Sequence, residues 1–425
     1  MHDGQVIVVT SLALLAVGLE GIGILPHDSP VLPGSRPGPS ASSSACTGVP
    51  VPPGVDLGIE MSSHPAGTTY CLGAGTFKIG SPIEMQVGDR VIGSGRDATF
   101  IEGTDLPQSA RGIFLTVDGN YFADLDVFGT PTPPADGSTY CAPYKSDCGI
   151  AFVTNTGTLT IQSIDCHDNG GNCVGGGGSM SITVDDLDCW NNGNAYSMTP
   201  EFLYAACIKR AAVYSTPGNT TVTNSHIHDN PWVGIWCDFC KYGFFDIEDN
   251  RFVHNGQGGV QWEMSGGWTS SDHAVIRNNV FRQNNYREED VGAGVIISTA
   301  NDVTVESNVF DGNRRASVNV IFTASRNPPQ DRSVGVVIRD NTLHADAIVG
   351  CGRISVLHRL ESLLPAGFDI GLVTLVLVLA LILFGVFFRS RPRLLVYGFA
   401  GVILLLVLSV LPLLDGPGAA CVNNA

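Results

Sequence analysis

The chain has 425 residues, with 23 Lys and Arg against 40 Asp and Glu, a formal net charge of −17. That balance argues against nucleic acid as a partner. It also disfavours unaided capture of acidic polysaccharides, unless a divalent cation such as calcium bridges the two anionic surfaces. Only 15% of residues are charged and 51 are glycine, as a turn-rich chain requires.

Residues 1–25 contain an apolar run from Val6 to Leu25 that Glu20 interrupts, with no Lys or Arg ahead of it. The run reads as a signal peptide, an uncleaved N-terminal anchor or the product of a misplaced start codon. Residues 26–45, rich in Pro, Ser and Gly, read as a flexible linker.

From residue 46 to 350 the pattern changes. Seven segments, starting at Ile161, Val184, Val222, Ile247, Ile276, Val305 and Ile338, superpose as one repeat with loops of variable length. Five residues on, each has Cys166, Cys189, Ile227, Phe252, Phe281, Phe310 or Leu343. Eight residues on, six have asparagine (Asn169, Asn192, Asn230, Asn255, Asn284 and Asn313), and Asp346 breaks the run. Self-similarity at this period, with short β-branched runs and no long helical pattern, predicts a β-solenoid. Equivalent positions should then stack about 4.8 Å apart, placing Phe252, Phe281 and Phe310 in one interior ladder. Asn250, Asn279, Asn308 and Asn341 read as corner posts, because asparagine tolerates the left-handed conformation of a bend and stacked amides bond along a ladder. About 300 residues of solenoid bury a continuous core, so folding requires no cofactor.

Thr68-Thr69-Tyr70-Cys71-Leu72-Gly73-Ala74-Gly75-Thr76-Phe77, followed by Gly88-Asp89-Arg90-Val91-Ile92-Gly93-Ser94-Gly95, resembles the first coils of the right-handed parallel β-helix superfamily with its pectate-lyase-like fold. The resemblance covers residues 46–350. It implies an all-β, right-handed parallel β-helix and leaves activity open, since that fold hosts enzymes and non-catalytic surface proteins alike. The chain has no Gly-His-Gly or Arg-Ile-Lys element like that of polygalacturonases. It also lacks the Asp-Pro-His-Glu element of alginate epimerases.

Twelve cysteines predict an oxidising compartment. Cys46 and Cys71 bracket the start of the first coil, and Cys141 and Cys148 suit closure of a small loop. Cys166 and Cys189, at one inward position on consecutive coils, either bond or stack. Cys237-x-x-Cys240 has no companion pair that would make it a metal or redox motif.

Outward positions carry the chemistry. Four and six residues after each reference position stand Asp165 and His167, Asp188 and Trp190, His226 and His228, then Arg251 and Val253. On a strand these should face solvent and form one groove. The longest insertions, about 129–148 and 193–220, bring Tyr140, Tyr144, Tyr196, Phe202 and Tyr204 nearby, and aromatic walls beside polar groups suit sugar rings. Alternate residues on a strand point the same way, so His226 and His228 also read as metal ligands. A second candidate lies on the strands after the bend. Matching their glycines puts Trp236 opposite Gln261 and Asp238 opposite Glu263, with Lys209 one coil earlier. Two carboxylates about 5 Å apart suit a retaining glycosidase pair or a calcium pair. Trp190, Trp236, Tyr196 and Tyr204 are the expected sugar contacts. The sequence thus predicts a polysaccharide-binding protein, with lyase or hydrolase chemistry if it is an enzyme. The rivals are a non-catalytic adhesion scaffold and an accessory subunit of a membrane complex.

After a connector, 351–365, two apolar runs at 366–388 and 394–414 are each long enough to span a bilayer. Arg389, Arg391 and Arg393 lie between them, so the positive-inside rule makes residues 389–393 a cytoplasmic loop. The solenoid and the tail 415–425 would then both be extracytoplasmic, tethered by a helical hairpin.

Overall fold

The computed structural model describes residues 46–131, 148–152, 156–193, 205–213, 218–240, 243–263, 273–298, 300, 302–321, 333, 335–344 and 347–349. The N-terminal segment, both apolar runs with their arginine loop, Cys141, Tyr140, Tyr144, Tyr196, Phe202 and Tyr204 lie outside the described residues. Among those described, no helix is long and apolar enough to cross a membrane.

The described chain winds as stacked parallel coils, each with three strand-bearing faces. The first and second faces meet at a tight bend and together form an 18-stranded sheet; the third face is a separate sheet of ten strands. Each strand pairs in parallel with its counterpart one coil away. On the first face Ile161, Val184, Val222, Ile247, Ile276, Val305 and Ile338 are successive partners, so the seven-segment register is the register of the sheet. Thr69–Leu72 pairs with Arg90–Ile92, and Gly75–Lys78 with Thr99–Glu102, as the first coils.

Inward residues meet their own kind. Phe252 stacks on Phe281 at 4.8 Å between centroids, and Phe281 on Phe310 at 4.9 Å, with all three rings buried. Parallel pairing forces this arrangement, because strand neighbours one coil apart sit at ring-stacking distance.

The bends show a division of labour that the sequence pattern conceals. The left-handed residue at the first bend is Asp249, Asn278, Ser307 or Asp340, with φ of 55–58°. The ladder asparagines Asn250, Asn279, Asn308 and Asn341 each follow it, so the expectation that they adopt the left-handed conformation is corrected. Their role is amide bonding: Asn279 Oδ1 accepts from the Asn250 backbone N–H at 2.9 Å, and Asn279 Nδ2 donates to the Ile247 carbonyl at 2.8 Å. At the second bend Asp168, Asn191, Asp229, His254, Gln283 and Gly312 are left-handed. The ladder Asn169, Asn192, Asn230, Asn255, Asn284 and Asn313 follows them. Buried backbone groups at each corner are satisfied by side chains, which is why asparagine recurs there.

One end of the solenoid is closed by elements outside the repeat. Strand Val49–Val51 pairs with Thr69–Leu72, and a short helix, Leu57–Ser62, buries Leu57 and Met61 over the first coil. Asp56 caps that helix by accepting from the Ile59 N–H, and the Cys46–Cys71 disulfide fastens the segment. Such a cover protects an otherwise open sheet edge.

Candidate functional site

Two clusters of ionisable side chains stand on the outward faces. The first occupies the second face. Asp126, Asp165, Asp188, His226 and Arg251 are successive partners in one column. Phe128, His167, Trp190, His228 and Val253 form the column beside it. The strand register places Asp165, His167, Asp188, Trp190, His226, His228 and Arg251 on neighbouring coils of this face. Their exposure differs from the expectation: Asp165 is 3% and Asp188 8% exposed, while Arg251 is open to solvent.

The carboxylates are buried because cations lie over them. Arg96, from an early coil, pairs with Asp165 at 3.2 Å and with Asp186 at 2.8 Å. His167 lies 3.2 Å from Asp126 through Nε2 and 2.6 Å from Asp168 through Nδ1. His228 repeats the arrangement, with Nε2 3.1 Å from Asp188 and Nδ1 2.7 Å from Asp229. His226 Nδ1 is 3.4 Å from the same Asp188 oxygen, and His254 Nδ1 is 2.7 Å from Asp229. Burial disfavours the His228 imidazolium, but its hydrogen bonds to Asp188 and Asp229 and their charges outweigh it, lifting the pKa to about 9. Burial likewise works against the Asp188 carboxylate, yet the two histidines hold its pKa well below the ordinary value.

The rings of the second column stack on one another. His167 lies 4.2 Å from Trp190 at 11°, Trp190 lies 5.7 Å from His228 at 14°, and Phe128 stacks on the far side of His167. Both faces of the Trp190 indole are therefore occupied, and its edge is what it presents outward. Sequence reasoning missed Asp126 and Arg96. The Asp126 coil keeps the repeat spacing from Phe122 to Val127, but has Thr130 in place of the corner asparagine.

The second cluster is on the third face. Lys209 is the strand partner of Trp236, Trp236 of Gln261, and Asp238 of Glu263, as the glycine match predicted. The Lys209 ammonium lies 3.6 Å from the Trp236 ring centroid and 3.6 Å from Asp238 Oδ2. Trp236 Nε1 donates to Glu263 Oε2 at 3.0 Å, and Gln261 Nε2 to the same oxygen at 2.8 Å. Lys209 is 4% exposed and Trp236 3%. Burial depresses the Lys209 pKa to about 8 although both acids oppose it. Burial raises the Asp238 carboxyl, which the Lys209 charge partly offsets. Glu263 is raised first by burial and then by the Asp238 charge. The groups are thus displaced toward neutrality from opposite sides. Lys209 already supplies the counter-charge, so this acid pair does not suit a calcium ion.

The cysteines complete the frame. Cys166 and Cys189 are strand partners, yet each bonds across its own coil, to Cys173 and Cys207 respectively. Between the bonding and stacking readings of that pair, stacking holds. Cys148 and Cys237 are also disulfide-bonded.

The family described as right handed β-helix region matches residues 148–343. No curated protein matches the chain. Among solved structures, the A-module of an Azotobacter vinelandii mannuronan C-5 epimerase is 14% identical over 68% of this chain and 83% of its own, with a TM-score of 0.39. An alginate lyase from Paenibacillus sp. is 13% identical over 69% and 94%, at 0.39. The N-terminal fragment of bacteriophage Phi29 gene product 12 is 11% identical over 68% and 56%, at 0.43.

Proposed function

We propose that this right-handed β-helix protein binds a polysaccharide along its outward ladders and hydrolyses it at the Lys209, Asp238 and Glu263 cluster. The observation that carries the reading is the convergence of one buried lysine and two carboxyls of raised pKa on neighbouring strands. Asp238, beside the ammonium, is assigned as the nucleophile. Glu263, raised by burial and by the Asp238 charge, is assigned as the acid. Directly opposed strand positions lie about 5 Å apart, which suits a retaining pair in which one acid protonates the leaving oxygen and the other attacks the sugar. Lys209 keeps the nucleophile ionised and Trp236 orients Glu263. The net charge of −17 favours a neutral glycan.

A glycan array probed with the full chain in detergent micelles tests the binding half. Wild type and Glu263→Gln should retain the same ligands, because that change leaves a neutral side chain in place and keeps the acceptor for Trp236. Absence of glycan binding by wild type would sink the proposal.

A second reading rests on the first cluster, where carboxylates, imidazoles and rings satisfy one another. Such closure suits a rigid, non-catalytic adhesion surface, and it is favoured if binding occurs without turnover.

The two apolar runs near the C-terminus support a tethered, extracytoplasmic placement. A cysteine introduced at Ser390 should resist an impermeant thiol reagent in intact cells; labelling there would reverse the topology.

A further inference from the structure

We propose that Asp188, His226 and His228 form a binding site for a transition-metal dication of the zinc type, independent of the glycan reading. The three side chains come from two adjacent coils. His226 and His228 alternate on one strand and so project the same way, and Asp188 is the strand partner of His226.

Two of the three spacings, those from Asp188 to each histidine, are those of a coordination polyhedron. Ligands about 2.0–2.1 Å from a tetrahedral ion lie roughly 3.3 Å from one another. The Asp188 Oδ1 atom is 3.4 Å from His226 Nδ1 and 3.1 Å from His228 Nε2. One ligand atom from each of the three residues falls within 4.8 Å of the others. A cation at their centre would meet the Asp188 carboxylate and a ring nitrogen of each histidine.

A second observation points to a metal as well. The remaining ring nitrogen of His228 faces Asp229 Oδ2 at 2.7 Å, and Asp229 is in turn held by His254. A ligating histidine whose other N–H is fixed by a carboxylate is the arrangement that sets tautomer and ring orientation at metal centres.

The donor set selects the ion. Two imidazoles and one carboxylate suit zinc, cobalt or nickel, whereas calcium takes oxygen ligands alone. Three protein ligands leave a fourth position, and the partly exposed His226 side chain opens that position to solvent. The same face carries an internal control. His167, with Asp126 and Asp168, has the carboxylate–imidazole–carboxylate pattern but no second histidine on its strand.

The test is Zn²⁺ and Co²⁺ titration of the full chain in detergent micelles, followed by calorimetry and by the cobalt ligand-field spectrum. Wild type should bind zinc with at least tenfold preference over calcium and give a low-coordinate cobalt spectrum. His226→Gln and His228→Gln should each remove that spectrum, and Asp229→Asn should weaken binding about 10–100-fold. His167→Gln should leave it unchanged. His226 is partly exposed, so His226→Gln folds as wild type and keeps the test valid even where His228→Gln does not. Zinc binding that survives His226→Gln, an octahedral cobalt spectrum, or equal affinity for calcium would overturn the site.

Discussion

The Lys209 ammonium sits 3.6 Å over the Trp236 ring and 3.6 Å from Asp238, with its side chain almost wholly buried. A cation in that position has exchanged water for an indole face and a carboxylate, and the exchange is incomplete, since its pKa falls to about 8. Burial of the charged group is thus tolerated at a cost, which is the pattern of a functional cluster rather than of a stabilising ion pair.

The proposed roles fix the pH dependence of activity. Asp238 must be ionised, so rate falls as pH drops through its raised pKa. Glu263 must be protonated, so rate also falls as pH climbs through its own raised value. A bell-shaped kcat/KM profile is expected, and Glu263→Gln should remove turnover across the profile. Activity that rises steadily into alkaline pH would assign the essential proton elsewhere.

Lys209 also leaves a signature in stability. Its folded pKa of about 8 lies below the ordinary 10.5, so between those values the unfolded chain binds the proton and the folded chain does not. Stability contributed at this site should therefore increase as pH rises from about 8 to 10.5, and the full cost of burial is present below pH 8. Lys209→Met should flatten this increase in urea melts. A wild-type and variant pair with parallel alkaline profiles would show that the lysine is freely solvated.

The asparagine ladders at the two bends are structural, and the cost of removal should depend on position. Asn284 accepts from the Asn255 backbone N–H at 3.2 Å and donates to the Phe252 carbonyl at 2.9 Å, with no exposure. Asn284→Ala strands buried backbone groups, at about 1–3 kcal/mol each. Asn341, half-buried on the last described coil, should cost less when changed to Ala. Chemical denaturation that finds the two equal would remove the ladder from the stability account.

Much of this geometry was legible in the residues. The seven reference positions became strand partners without adjustment, and Asp238 met Glu263, because parallel coils repeat a one-dimensional pattern in space. Sequence could not give what depends on reach across coils. Arg96 bonds to Asp186, 90 residues away in the chain, and covers Asp165, which was expected to face solvent. It could not give ring orientation either: Trp190 was expected to contact sugar, and stacking between His167 and His228 leaves only its edge outward. At the bends, the residue before each ladder asparagine takes the strained conformation, a distinction that composition alone does not make.

The most direct measurement is release of reducing ends from a panel of neutral and acidic polysaccharides, comparing the full chain in detergent micelles with Asp238→Asn. The account predicts turnover of at least one neutral polymer by wild type, and a loss of roughly a thousandfold or more in the variant with bound ligand retained, as expected when a catalytic group is removed. Turnover that survives Asp238→Asn, or wild type that binds a glycan and never cleaves it, would contradict the catalytic assignment.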